Sequence, residues 1–226
     1  MTRSTNARVA GFTYLFYAAV GLCSDLLMHR ATSADGDAAT LARIGEHATD
    51  VRMAILLRLL ECFSAVVLAV TLYGITRVQD RELAMLAMVC RVAEGLLGLL
   101  GIPTYLGLLW LAKAGAGTGA VDIATTNALR AFLLMPGPSV PLSAIFFAVG
   151  SMIFSYLLLR GRMVPLAIAW MGVIATGLLA VGLPLELAGF ITGPLTGYYQ
   201  WMPALVFQVA LALWLLTKGV AKPEAR

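Results

Sequence analysis

Charge is what this sequence has least of. Of 226 residues, 12% are Asp, Glu, Lys or Arg and 60% are hydrophobic. A soluble domain carries about a quarter charged residues and about half apolar ones. So little charge excludes a soluble globular enzyme and a disordered tail. The formal net charge is only +4, and Lys and Arg form no run. There is thus no stripe that would track phosphates, and no nucleic-acid partner is expected. Cysteine is scarce as well. Cys23, Cys62 and Cys90 stand in no Cys-x-x-Cys or Cys/His spacing, which argues against a disulfide framework or a zinc site. All three fall in apolar runs and read as buried, inert thiols. His29 and His47 lack the close spacing of a metal pair, so no metal and no cofactor is expected. Gly-x-Ser-x-Gly, His-Glu-x-x-His, Walker and dinucleotide loops are all missing.

Long apolar runs are what the chain does have. A bilayer-spanning helix needs about 20 mostly apolar residues, and six such spans can be placed, over about 8–28, 53–76, 83–112, 141–159, 165–187 and 199–217. The fold class is therefore all-α, a polytopic transmembrane helix bundle, with residues 1–226 read as one integral membrane domain whose surroundings are the lipid bilayer. The first span is too long for a signal-peptide core and reads as an uncleaved helix. Arg3, Arg8, Arg77, Arg81, Arg160, Arg162, Lys218, Lys222 and Arg226 gather in the termini and the second and fourth connections. By the positive-inside rule both termini are then cytoplasmic.

Two outer connections are long. Residues 29–52 open on a Ser33–Asp37 turn, after which Asp37 can cap a helix running into the second span. Residues 113–140 open on a glycine-rich hinge, and Asp122 can cap a short helix ending at Met135–Pro138. That helix is either interfacial or the first part of the fourth span. Pro103 and Pro184 are expected to kink their helices. Gly95, Gly98 and Gly101 are expected to let neighbouring helices approach closely.

Charge inside a span is costly and is by default a functional hypothesis. Arg58-Leu-Leu-Glu61 lies in the second span and Arg91-Val-Ala-Glu94 in the third. Asp25 and Glu186 lie near outer span ends, and Gln208 lies in the sixth span. At about 1.5 Å rise per residue, Glu61 and Glu94 both sit about 12–13 Å below the outer boundary. Depth thus points to a carboxylate-lined polar pocket in the outer half of the bundle, and Tyr14 and Tyr17 either line it or hydrogen-bond between helices. Arg and Glu at i, i+3 share a helix face and can pair within a helix. They can also exchange partners, Arg58 with Glu94 and Arg91 with Glu61, as interhelical glue. Acids outnumber bases in the spans, and a neutral buried carboxylic acid is what a proton-coupled step uses.

Three stretches resemble a known family: Ala7-Arg-Val-Ala-Gly-Phe-Thr-Tyr14; Gly36-Asp-Ala-Ala39 with Cys90-Arg-Val-Ala-Glu94; and Tyr156-Leu-Leu-Leu-Arg-Gly-Arg-Met-Val-Pro165 with Trp170-Met-Gly172. The family is the bacterial integral membrane family known as domain of unknown function 4386. The resemblance implies a multi-pass protein of the bacterial inner membrane and no particular activity.

The leading expectation is binding or translocation of a small or amphipathic solute, a small molecule or a lipid. Glu61 and Glu94 are its proton-sensitive groups, Arg58 and Arg91 tune them or meet an anionic headgroup, and Asp25, Glu186 and Gln208 line the entrance. Two rivals stay open. One is an intramembrane acid/base enzyme acting on a lipid or isoprenoid. The other is a non-catalytic structural or regulatory subunit in which the charge pairs only specify packing. The sequence assigns no catalytic residue and no oligomeric state.

Overall fold

A computed structural model of the chain describes residues 2–34, 37–114, 142–191 and 198–221, and among these all regular structure is helical. Helix α1 spans Arg3–Thr32, α2 Asp37–Glu46, α3 Ala48–Thr76, α4 Arg81–Gly98, α5 Ile102–Ala114, α6 Leu142–Arg160, α7 Leu166–Leu187 and α8 Tyr198–Thr217. Six stretches are long and apolar enough to cross a membrane: Arg3–Thr32, Ala48–Thr76, Arg81–Lys113, Leu142–Arg160, Leu166–Leu187 and Tyr199–Thr217. The protein is an all-α polytopic membrane protein. Each span expected from the sequence lies inside an observed one or within a residue of it. The helices of the first two spans, α1 and α3, run past their apolar cores because the polar residues flanking them, Arg3–Ala7 and Ala48–Arg52, contain no helix breaker.

The third span is interrupted. A single 3₁₀ turn, Leu99–Gly101, separates α4 from α5. Pro103 explains it: proline lacks an N–H, and its ring displaces the carbonyl four residues back, that of Leu99. Pro184 and Pro203, by contrast, lie inside continuous helices. Helix α2 leads almost directly into α3. Only His47 intervenes, its N–H bonded to the Arg43 carbonyl at 2.9 Å and its carbonyl to the Val51 N–H at 3.2 Å. Asp35 and Gly36 of the Ser33–Asp37 turn, the Asp37 side chain that would cap α2, the glycine-rich hinge from residue 115 and the 122–138 helix lie outside what is described.

The chain forms two compact units, Met1–Ala18 with Glu61–Gly98 and Pro138–Arg226, and Ala19–Leu60 with Leu99–Gly137. In the first, α4 packs on α6, α6 on α7, and α7 on α8. Its core joins Tyr14 of α1, Leu68 and Leu72 of α3, Ala87 of α4, Phe154 of α6 and Phe207 of α8. Lipid is as apolar as leucine, so such helices are held by close packing rather than by apolar burial, and small residues set the approach. A Cβ on Gly95 would lie 2.8 Å from the Cys62 carbonyl oxygen, and one on Gly98 2.9 Å from the Cys62 Sγ. A Cβ on Gly101 would meet open space, so the close-approach expectation holds for the first two glycines and not for the third. At one end of this unit Asp80 caps α4, accepting the Leu83 N–H at 3.0 Å. Its other oxygen meets Arg160 at 3.5 Å.

In the second unit α2 packs on α5, and the core gathers Met28, Ile44, Ala54, Leu108 and Leu111. The buried Ser24 hydroxyl donates to the Ala54 carbonyl at 3.0 Å, tying α1 to α3. Cys62 and Cys90 are buried, but Cys23 is exposed. The uniform expectation of buried thiols therefore fails at Cys23. A thiol that acts as a small hydrophobe can face outward from an apolar helix at little cost.

Candidate functional site

Helix α4 carries the charges that matter most. Arg91 and Glu94 are one turn apart, so their side chains leave the same face. Arg91 Nη1 lies 2.6 Å from Glu94 Oε2. Arg91 is fully buried, at 0% exposure, and Glu94 is at 5%. Both charges have therefore left solvent together, which is tolerable only because they are paired.

Neighbouring helices complete the surroundings. From α1, the Tyr17 hydroxyl donates to Glu94 Oε1 at 2.8 Å and also lies close to the Arg91 guanidinium. The Tyr17 and Phe147 ring centroids stand 5.3 and 5.0 Å from the guanidinium carbon, so both rings hold the cation by their π faces. Ser151 of α6 offers its hydroxyl to Arg91 Nη1 at 3.5 Å, the limit of a hydrogen bond. From α3, Glu61 is near enough to interact electrostatically with both Glu94 and Tyr17. Gly150 makes room for all this. A Cβ there would lie 3.0 Å from Arg91 Cγ and 3.1 Å from the Ala87 carbonyl oxygen, so the glycine lets α6 pass over the arginine stem without crowding it.

The cluster is not saturated. Among the described residues, neither Arg91 Nε nor Nη2 meets a hydrogen-bond acceptor in bonding geometry. Glu94 Oε2 touches Arg91 as an ion pair without the alignment of a hydrogen bond. Each unmet buried donor costs about 1–3 kcal/mol.

A family model, Domain of unknown function (DUF4386), matches residues 9–219. The chain belongs to this family. No curated protein and no solved structure matches it. The family match takes in every candidate named from the sequence, together with Tyr17, Phe147 and Ser151.

Within this family member each unit holds its own candidates. Arg91, Glu94 and Glu61 come together in the first unit. There Arg91 takes Glu94 as its partner within α4, one of the two pairings open from the sequence. Asp25 and Arg58 pair with each other in the second unit, through Asp25 Oδ1 and Arg58 Nη2. Glu186, half-buried near the end of α7, accepts a hydrogen bond from Gln200 Nε2 at 2.9 Å. Gln208 is buried on α8. Sequence reasoning missed Phe147, Ser151 and Gln200. Ser151 had a usable signal, since Gly150-Ser151 sits in the middle of an apolar span, where a hydroxyl beside a glycine marks a helix contact. Among the described residues no group of His, Cys, Asp and Glu could hold a metal. A groove of about 370 Å³ opens elsewhere in the first unit, between the α6–α7 turn and the end of α8, lined by residues including Arg162, Pro165, Trp214 and Lys218.

Chemically, the cluster can hold a proton on Glu94, pass hydrogen bonds through Tyr17 and keep a cation whose Nε and Nη2 are enclosed without a bonded acceptor. It offers no activated nucleophile.

Proposed function

We propose that this protein is a multi-pass protein of the bacterial inner membrane, with both termini cytoplasmic, that binds or translocates a small or amphipathic solute at a carboxylate-lined polar centre. Glu94 and Glu61 are its proton-sensitive groups, and Arg91 is the cation they are balanced against. One observation carries the reading: a fully buried arginine, paired to a buried glutamate, keeps two donors unmet. An intramembrane charge cluster is ordinarily functional, and one with spare capacity is suited to accept a further group.

The test is native mass spectrometry of the protein in mild detergent, comparing wild type with Glu61→Gln/Glu94→Gln. A discrete bound mass lost in the folded variant supports the reading. A mass retained by the variant, or no bound species in either protein, sinks it. A second reading, in which the pair only fixes helix packing, draws on the close i, i+3 contact of 2.6 Å. It gains if no bound species is found.

A further inference from the structure

Three span ends meet in the first unit. Helix α6 stops at Arg160, α7 starts at Leu166 and α8 stops at Thr217. The groove of about 370 Å³ opens there, a volume within the range of small-ligand sites. One wall is the α6–α7 turn, with Arg162 and Pro165, and the other is the last turn of α8 and the chain after it, with Trp214 and Lys218. The two walls are tied together. Gly219, at φ 72°, turns the chain out of α8, and the Ala221 N–H then donates to the Met163 carbonyl at 3.0 Å. Arg162 is held at φ 46°, a left-handed conformation that a residue with a Cβ seldom adopts, although Gly161 stands beside it. Strain of this kind collects at ligand clamps.

Charge and polarity then constrain what can sit there. Two cations, Arg162 and Lys218, line the groove, and none of its lining residues is acidic. Both are exposed, so they present charge at the boundary without being buried. The N-terminus of α7 adds positive potential, since its N-cap is the lining residue Pro165 and no side chain caps it. A phosphate group suits such a set, because guanidinium and ammonium both bind its oxygens. The remaining surface is apolar. Met163 and Val164 are buried beneath the groove, and Trp214 is half-buried, a residue type enriched at membrane–water boundaries. Leu166 and Trp170, one turn apart on α7, are 55% and 53% exposed. An apolar, outward-facing stripe thus begins one residue past Pro165 and runs along α7 into the span. A free phosphate would use the cations alone, whereas a phospholipid uses the cations and the stripe.

We propose that this groove is a binding site for an anionic phospholipid, with the phosphodiester held by Arg162 and Lys218 and an acyl chain laid against Leu166 and Trp170. The site is separate from the Arg91–Glu94 centre and does not depend on the function proposed for that centre. Net charge selects the lipid. Phosphatidylglycerol brings one uncompensated negative charge to two cations. Phosphatidylcholine brings the same phosphate with a choline cation, which those cations repel.

The test is native mass spectrometry of the delipidated full-length protein in mild detergent, titrated with phosphatidylglycerol or phosphatidylcholine of the same acyl chains. At about a fivefold gain per basic residue near an anionic headgroup, the first phosphatidylglycerol is expected to bind at least about tenfold more tightly than the first phosphatidylcholine. Arg162→Asn/Lys218→Gln, in which Asn tolerates the left-handed backbone, reduces that preference to about twofold or less and leaves phosphatidylcholine unchanged. Arg77→Gln/Arg81→Gln removes the same charge around the α3–α4 turn, whose Gln79 borders Gly161, and keeps the preference. Inorganic phosphate in excess does not displace the lipid. Equal affinity of wild type for the two lipids overturns the proposal, as does a preference kept by the groove variant or lost equally in both variants. Displacement by inorganic phosphate overturns the lipid assignment in favour of the free anion. The lipid comparison and the phosphate competition need wild-type protein alone, so a variant that fails to fold leaves the test decisive. A phosphatidylglycerol mass kept by Glu61→Gln/Glu94→Gln and lost by the groove variant marks the groove and not the polar centre.

Discussion

Removing one member of the Arg91–Glu94 pair should be far more harmful than removing both, and the two single losses should respond differently to pH. The pair is 2.6 Å long, with Arg91 at 0% exposure and Glu94 at 5%. Breaking a buried pair by deleting one partner costs about 3–5 kcal/mol, because the other charge is left without compensation. Glu94, however, has an escape. In Arg91→Met it can take up a proton, and at pH 7 that costs about 4 kcal/mol for a carboxyl whose unfolded pKa is about 4.3. At pH 5 the same protonation costs about 1 kcal/mol. The sign follows from linkage. The folded variant holds a proton that its unfolded chain has lost, so stability is gained as pH falls toward 4.3 and lost as it rises. Arginine has no such escape, since it does not deprotonate in proteins. Glu94→Leu should therefore cost about 3–5 kcal/mol at both pH values. The double variant Arg91→Met/Glu94→Leu replaces the pair with apolar groups of similar volume and should fall within about 1 kcal/mol of wild type or exceed it. Equilibrium unfolding in mixed micelles of mild detergent and SDS, at pH 5 and pH 7, measures all four proteins. A double variant as unstable as the two singles summed would refute the reasoning, as would an Arg91→Met penalty that does not shrink at pH 5.

Tyr17→Phe deletes the 2.8 Å bond to the Glu94 carboxylate and should cost about 0.5–2 kcal/mol in the same unfolding assay. No loss would mean that the hydroxyl finds an equal partner elsewhere. Gly150→Ala puts a methyl 3.0 Å from Arg91 Cγ and 3.1 Å from the Ala87 backbone oxygen, so it should destabilise by about 1–3 kcal/mol. Gly101→Ala, into open space, should be neutral or stabilise by up to about 1 kcal/mol; equal effects at both sites would contradict the packing described. Cys23 is exposed whereas Cys62 and Cys90 are buried, so N-ethylmaleimide should label one thiol of the detergent-solubilised protein quickly and the other two only on denaturation. Mass spectrometry of the labelled peptides decides it.

The six spans were legible because a bilayer imposes a length and a composition that few soluble segments share. The Arg91–Glu94 pair was legible too, because a spacing of three residues places two side chains on one helix face whatever surrounds the helix. Its neighbours were less so. Rise per residue gives a side chain's depth but not the direction in which it leaves the helix. Asp25 and Glu61, for example, carry the same charge, yet Asp25 meets Arg58 and Glu61 lies near Glu94. Phe147 escaped notice because an aromatic residue in an apolar span is ordinary until a guanidinium is found 5.0 Å from its ring. The 3₁₀ turn was foreshadowed by Pro103. The helices that continue through Pro184 and Pro203 were legible as well, since the apolar runs 165–187 and 199–217 pass through both prolines.

The unmet donors of Arg91 also bear on why the cluster exists. If the pair served only to hold helices together, the cheapest arrangement would satisfy every donor or use no charge at all, since apolar replacements of buried pairs are often as stable or more so. The helices already approach closely at Gly95 and Gly150, so packing does not need the ions. Yet the chain keeps a buried arginine whose Nε and Nη2 are unmet, against about 1–3 kcal/mol for each such donor. Local rules are broken in this way at sites that do something. The double variant separates the two roles. A protein that is fully folded with Arg91→Met/Glu94→Leu, and that has lost a mass bound by wild type in native mass spectrometry, would place stability in the helix packing and ligand binding in the pair.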